Sequence, residues 1–197
     1  MKSIYEFIVE PIGDRYNNKK KIGDSELILN TEIFNHQYIN RLAKIISTPI
    51  IGDTLGLSKG DEVIIHHNVF RRWHDVKGVE RNSSNYFNES KYIVSQDLIY
   101  AVKKQNTWAP LDGYHFVQPL KNNNSFSSEK EKLVGMVVYS DNKYKKGDIV
   151  GFTPKGSKFE FIIDGQRVYR IKSNKITVKY ECQGNEETYN PSWAESS

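Results

Sequence analysis

Apolar residues along this chain fall in short runs rich in Val, Ile, Tyr and Phe, and the polar stretches between them carry most of the Gly, Pro, Asn and Asp. Branched and aromatic side chains suit a pleated, half-buried surface, and turn residues punctuate such strands. Tyr5 to Pro11 reads as an opening strand, ended by a proline that cannot donate to a central ladder. Arg41 to Thr48, Asp61 to Phe70 and Lys91 to Val102 are the next runs, the last broken at Ser95-Gln96-Asp97 by a turn or a single helical turn. Gly113 to Leu120, Leu133 to Tyr139, Gly147 to Phe152, Lys158 to Ile163 and Arg167 to Tyr180 follow. Lys158 to Ile163 alternates with period two, and the Asp164-Gly165 behind it is a hairpin signal. The pattern predicts an all-β protein. Two polar stretches interrupt it. Ile12 to Asn40, with Gly13, Gly23 and five asparagines, has no helical period, and loops of that length are usually functional or disordered. Arg71 to Ser90 is mostly polar, with Trp73, Tyr86 and Phe87 as islands.

The pattern occurs twice. Val9-Glu10-Pro11, Lys59-Gly60-Asp61-Glu62-Val63 and Tyr92-Ile93-Val94-Ser95 recur in order as Val117-Gln118-Pro119, Lys146-Gly147-Asp148-Ile149-Val150 and Tyr169-Arg170-Ile171-Lys172, at offsets of 108, 87 and 77 residues. The second copy is thus shorter by 21 residues between the first two landmarks and by 10 between the next two. Loops tolerate such changes and paired strands do not, so two similar small β domains are expected, with function in the loop that one copy kept. The boundaries expected are 1–104 for the first domain, with a mobile loop at about 13–40, 108–181 for the second, and 182–197 for a flexible tail.

With 197 residues, two domains of modest core fit the length, and association is a usual way to stabilise them. The net charge of +4, from 28 basic and 24 acidic residues, is too slight to suggest a nucleic-acid footprint. Lys19-Lys20-Lys21 and Lys143 with Lys145-Lys146 read as solvated charges of turns or loops. The lone Cys182 excludes an intramolecular disulfide and a thiol zinc cluster, as expected in a reducing compartment. Neither a signal peptide nor a run approaching the ~20 apolar residues of a membrane span is present, which leads to the expectation of a cytoplasmic protein, in the host cytoplasm if a phage encodes it.

Each copy thus has an opening strand ending at proline, a loop, a strand such as Leu133-Val134-Gly135-Met136-Val137-Val138, a connection into Lys-Gly-Asp-x-Val, and a closing strand pair around Tyr-x-Ile/Val. This order resembles the GroES-type co-chaperonin family over Tyr5 to Val102 and again over Tyr114 to Val178. The resemblance implies two tandem GroES-like β-barrels. It also implies that the loop after the first strand docks on the rim of a GroEL-type chaperonin through a hydrophobic tripeptide behind glycine. Leu27, Ile28 and Leu29, behind Gly23, match that tripeptide, and Ile33, Phe34, Tyr38 and Ile39 form the returning arm. The second copy keeps only Lys121 to Lys132, with Phe126 its one apolar residue. This chain departs from the family in being a tandem, in the short connections Pro49 to Lys59 and Ser140 to Lys145, and in the Arg71 to Ser90 insert. The implied partners are the chaperonin, which itself binds the ATP, an unfolded client in its chamber, and other copies of this chain, in a ring of seven if each chain supplies one loop.

Enzyme chemistry has no residues to stand on: there is no phosphate loop, nucleophile elbow or paired-carboxylate spacing, and no cofactor or catalytic residue is assigned. Asp61 and Asp148 follow glycine at strand starts, where a turn role is simpler. His66 and His67 are adjacent in an expected strand, so they point to opposite faces and cannot share a metal; His36, His74 and His115 are scattered. The competing reading is a β-barrel that binds single-stranded nucleic acid through Trp73 with Arg71, Arg72 and Lys77. Salt separates the two, since phosphate contacts weaken steeply with it.

Overall fold

The computed structural model describes residues 2–16, 19–28, 38–111, 113–120, 133–141, 143–153 and 159–181. The chain divides into two compact units between Thr107 and Trp108. Among the described residues regular structure is β, with three 3₁₀ turns and no α-helix.

Each unit is organised around an apolar strand that ends in proline. In the first, β1 (Phe7–Pro11) pairs antiparallel with β4 (Leu42–Ser47) and with β9 (Lys91–Val94). In the second, β12 (Tyr114–Pro119) pairs antiparallel with β13 (Val134–Tyr139) and with β16 (Gln166–Lys172). Pro11 lies opposite Ala43 and Pro119 opposite Gly135, at strand ends where a missing N–H costs nothing. Both ladders carry a bulge at the same place, between Ile8 and Val9 and between Phe116 and Val117.

The remaining strands extend the match. With β5 (Glu62–Ile65), β8 (Tyr86–Asn88) and β10 (Ile99–Lys104), the first sheet runs β10-β5-β4-β1-β9-β8, with β11 (Thr107–Pro110) as one further edge strand beyond β10. With β14 (Ile149–Phe152), β15 (Phe159–Ile163) and β17 (Ile176–Tyr180), the second runs β17-β14-β13-β12-β16-β15, the same path in space for the same order in sequence. The repeated Lys-Gly-Asp is one turn built twice. Gly60 N donates to Ile45 O and Gly147 N to Val137 O, both at 2.8 Å. The Asp61 carboxylate accepts from Ser58 N and the Asp148 carboxylate from Lys145 N, both at 2.9 Å. Gly60 and Gly147 have φ of 98° and 94°, which side-chain-bearing residues rarely adopt. The cores superpose residue for residue. Val117, Val137, Val150, Phe152, Tyr169 and Ile171 are buried together in the second unit, and Val9, Ile45, Val63, Ile65, Tyr92 and Val94 are buried at the equivalent register positions of the first.

Four expectations need correction. The sheets are not closed barrels: the path in each has two ends, β11 and β8 or β17 and β15, that are not neighbours in it. The Asp61 to Phe70 run is not one strand, because β5 stops at Ile65 and the chain enters a 3₁₀ turn at His67–Val69. The Arg71 to Ser90 insert does have a counterpart in part, since Tyr86 opposes Tyr92 as Glu160 opposes Tyr169. Lys19-Lys20-Lys21 belong to a strand rather than a turn. The Asp164-Gly165 hairpin is present, with φ of 49° and 75°, the left-handed pair that a two-residue turn demands. After β10 the chain turns at Gln105-Asn106, with φ of 49° and 61°, into β11 (Thr107–Pro110). The 182–197 tail and Cys182 lie outside the described residues.

Candidate functional site

The polar stretch after β1 is not structureless. β2 (Lys19–Ile22) and β3 (Ser25–Ile28) pair antiparallel across Gly23-Asp24, forming a two-stranded sheet separate from the main one. Gly23 supplies the φ of 60° that starts the turn. Ile22 opposes Ser25, and residues two apart along a strand share a face, so Ile22 and Leu27 lie on one side of the hairpin. They are 57% and 50% exposed. An isolated two-stranded hairpin is marginal in water, so two half-exposed aliphatics on such an element are available to a partner.

Of the three residues picked from the sequence, Leu27 is half exposed, Ile28 ends β3 opposite Lys19, and Leu29 lies outside the described residues. Where a loop tripeptide was expected, a strand therefore holds at least its first two members. Ile22 was missed. The signal was present in Lys-Ile-Gly-Asp-Ser-Glu-Leu, where Gly-Asp sits between two segments able to pair. Of the proposed returning arm, Ile39 is buried and Tyr38 half-buried, whereas Ile33, Phe34, Phe126 and the second-copy loop fall outside the described residues.

Both ends of this stretch are pinned. Tyr16 and Ile39, each 4% exposed, form an antiparallel bridge. Asn40 N donates to Arg15 O at 2.9 Å, and the Asn40 side-chain amide donates to Ile12 O at 2.8 Å and Asp14 O at 2.9 Å. Arg15 then reaches into the insert. Its Nη2 donates to Phe70 O at 2.9 Å and its Nη1 to Asn82 Oδ1 at 2.9 Å, with the guanidinium 5.5 Å from the centroid of the Tyr92 ring. Arg72 N donates to the Tyr16 hydroxyl at 2.7 Å, and the Arg72 guanidinium lies 5.0 Å over the Tyr16 ring.

The insert itself is a hairpin, β6 (Arg72–His74) with β7 (Glu80–Asn82), in which Trp73 opposes Arg81. Its tip is fastened by Asp75, whose carboxylate accepts from Val79 N, Lys77 N and both Arg81 Nε and Nη2 at 2.9–3.0 Å. The bond from Val79 foremost, then those from Arg81 and Lys77, hold this carboxyl below its ordinary value against a smaller effect of desolvation. Trp73 is 40% exposed, but Arg72 is ion-paired with Glu80 and Arg81 with Asp75. Of the patch cations Arg71, Arg72 and Lys77, Arg72 thus has an internal counterion, which weakens the patch's pull on phosphate.

His66 and His67 do not diverge as adjacent strand residues would. β5 has already ended at Ile65, Asn68 N donates to His66 Nδ1 at the start of the 3₁₀ turn, and the rings stack 4.2 Å apart. No group of three or more His, Cys, Asp or Glu able to hold a metal lies among the described residues. His115 is fully buried, with Nδ1 3.0 Å from Ser140 Oγ and Nε2 2.8 Å from Ser173 Oγ, and with Asp141 Oδ1 at 3.5 Å. Burial pushes the Asp141 carboxyl up, but bonds from Gly113 N and Lys143 N and the nearby His115 and Lys143 bring it below its ordinary value. The serine, histidine and aspartate look like a nucleophilic triad, but the geometry favours a staple. Ser173 N is already spent on Gly113 O, and the first unit fills the register position of His115 with the equally buried Phe7. No described helix is long and apolar enough to cross a membrane, which has no bearing on spans made of strands.

Comparison of the sequence with protein-family models and with curated proteins returned no match.

Proposed function

We propose that this chain is a co-chaperonin made of two GroES-like domains, which caps a GroEL-type chaperonin so that a client folds inside. The observation that carries the reading is the β2–β3 hairpin. It follows the first strand of the first copy, the stretch that bears it is pinned at Tyr16 and Ile39, and it offers Ile22 and Leu27 half-exposed. The corresponding connection of the second copy is the short one. Burying the remaining half of each side chain in a partner groove releases about 1 kcal/mol apiece. Any ordering of chain on docking opposes this at about 1–2 kcal/mol per residue fixed, so one hairpin binds weakly. A ring of chains turns later contacts into intramolecular ones, and avidity then raises affinity by about 10²–10⁴. Seven chains would match seven grooves, with the ATP bound by the chaperonin and no cofactor on this chain.

The test is capture by a GroEL-type chaperonin with and without ATP, comparing wild type with Leu27→Asp and Ile28→Asp, while native mass spectrometry counts the chains. Wild type should be held at high salt and both variants lost. Equal capture of all three would remove the docking assignment. Binding to single-stranded nucleic acid that collapses with salt would favour the Trp73 patch instead.

A further inference from the structure

Two segments set the first copy apart from the second, the stretch that bears the β2–β3 hairpin and the β6–β7 insert, and they are joined at their roots. The Arg15 fork spans Phe70 O and Asn82 Oδ1, tying the outgoing arm of the first segment to the chain entering β6 and to the end of β7. The Tyr16 hydroxyl accepts from Arg72 N and donates to Arg72 O at 3.3 Å, tying the next residue of that arm to the start of β6. The returning arm is locked to the outgoing one by the Tyr16–Ile39 bridge and the Asn40 side chain. Ser83 closes the insert from below, its hydroxyl donating to Val69 O at 2.6 Å and its N–H to Arg71 O at 3.0 Å. Arg15 is suited to this place because a planar guanidinium can hold two acceptors in fixed directions, which an ammonium cannot.

We propose that the β6–β7 insert is a buttress for the docking hairpin, with Arg15, Tyr16 and Asn82 as its positioning residues. Rooting both arms on the insert settles the conformation of residues 12–16 and 39–41 before any partner arrives. The ordering cost of docking is then confined to the segment beyond Tyr16 and Ile39, and a weak apolar grip can suffice. The insert contributes without touching the partner, which is why it belongs to the copy that carries the hairpin. This inference rests on the docking reading above.

The experiment compares wild type with Arg15→Ala, Tyr16→Phe, Asn82→Ala and Asn82→Asp in the full chain. Hydrogen exchange of the free protein is read at residues 12–16 and 39–41, and affinity for a GroEL-type chaperonin is measured in parallel. Arg15→Ala, Tyr16→Phe and Asn82→Ala should each speed exchange at the root by about five- to tenfold, the effect of one net hydrogen bond, and should weaken capture. Exchange in β4 and β5 should be unchanged, which shows that the sheet is intact. Asn82→Asp keeps the acceptor and should restore both readouts. Leu27→Asp should abolish capture with root exchange as in wild type. Root exchange that stays at the wild-type rate in all three variants overturns the clamp, and faster exchange with undiminished capture overturns its positioning role. A wild-type chain that no chaperonin captures would end the docking reading and the positioning role with it, while the exchange comparison still decides whether the clamp exists.

Discussion

Tyr92 and Tyr169 occupy one position of the repeat, both fully buried, and their hydroxyls meet opposite fates. Tyr169 donates to Glu160 Oε2 at 3.1 Å, and Glu160, 4% exposed, is also ion-paired with Arg167, Nε to Oε1 at 2.8 Å. At the matching position of the first copy Tyr86 replaces Glu160, and the Tyr92 hydroxyl has no hydrogen-bond partner among the described residues. Desolvation foremost, tempered by Arg15, pushes the Tyr92 phenol above its ordinary value. Truncating both to Phe should therefore move stability in different directions. Tyr169→Phe removes a bond to a charged acceptor and leaves a buried carboxylate short of a donor, a loss of about 1.5–3 kcal/mol in the second unit. Tyr92→Phe removes a hydroxyl whose burial has no compensation, so the first unit should stay level or gain up to about 1 kcal/mol. Hydrogen exchange along a urea series, followed on peptides from each unit, reads the two stabilities separately. A loss above about 1 kcal/mol for Tyr92→Phe would refute the reasoning, because the hydroxyl would then have to be satisfied in the folded protein.

Two further expectations concern the repeated turn. Gly60→Ala and Gly147→Ala each place a Cβ at strongly positive φ and should each destabilise their own unit by about 1–2 kcal/mol, measured by the same unit-resolved exchange; a cost in one unit alone would break the equivalence of the turns. Asp148 is held below the ordinary carboxyl value of 3.8 by the side-chain bond from Lys179 at 2.7 Å and the backbone bond from Lys145. A lowered folded-state value means that its stabilisation is complete above the unfolded value and fades as pH falls through the folded one. Because Lys179 is largely exposed, Asp148→Asn should cost only about 0.5–1 kcal/mol at pH 7, and the gap from wild type should close below about pH 3.8 in urea titrations. A gap that persists in acid would assign the effect to packing rather than charge.

The sequence on its own determined the all-β class, the duplication and the turn that both copies build. Those features are local: period-two alternation marks strands, Gly and Asp at fixed spacing encode a turn of one geometry, and recurrence in order carries the topology from one copy to the other. Tertiary structure decided the rest. Leu27 and Ile22 share a face only because β2 and β3 pair. Arg15 and Tyr16 looked like ordinary loop residues, because their partners Phe70, Arg72 and Asn82 lie more than fifty positions away in sequence. His66 and His67 stack because the strand ends at Ile65, just before them, and the chain turns there. Hydrogen bonds across such separations depend on where the sheet brings the backbone, and no local pattern of residues records that.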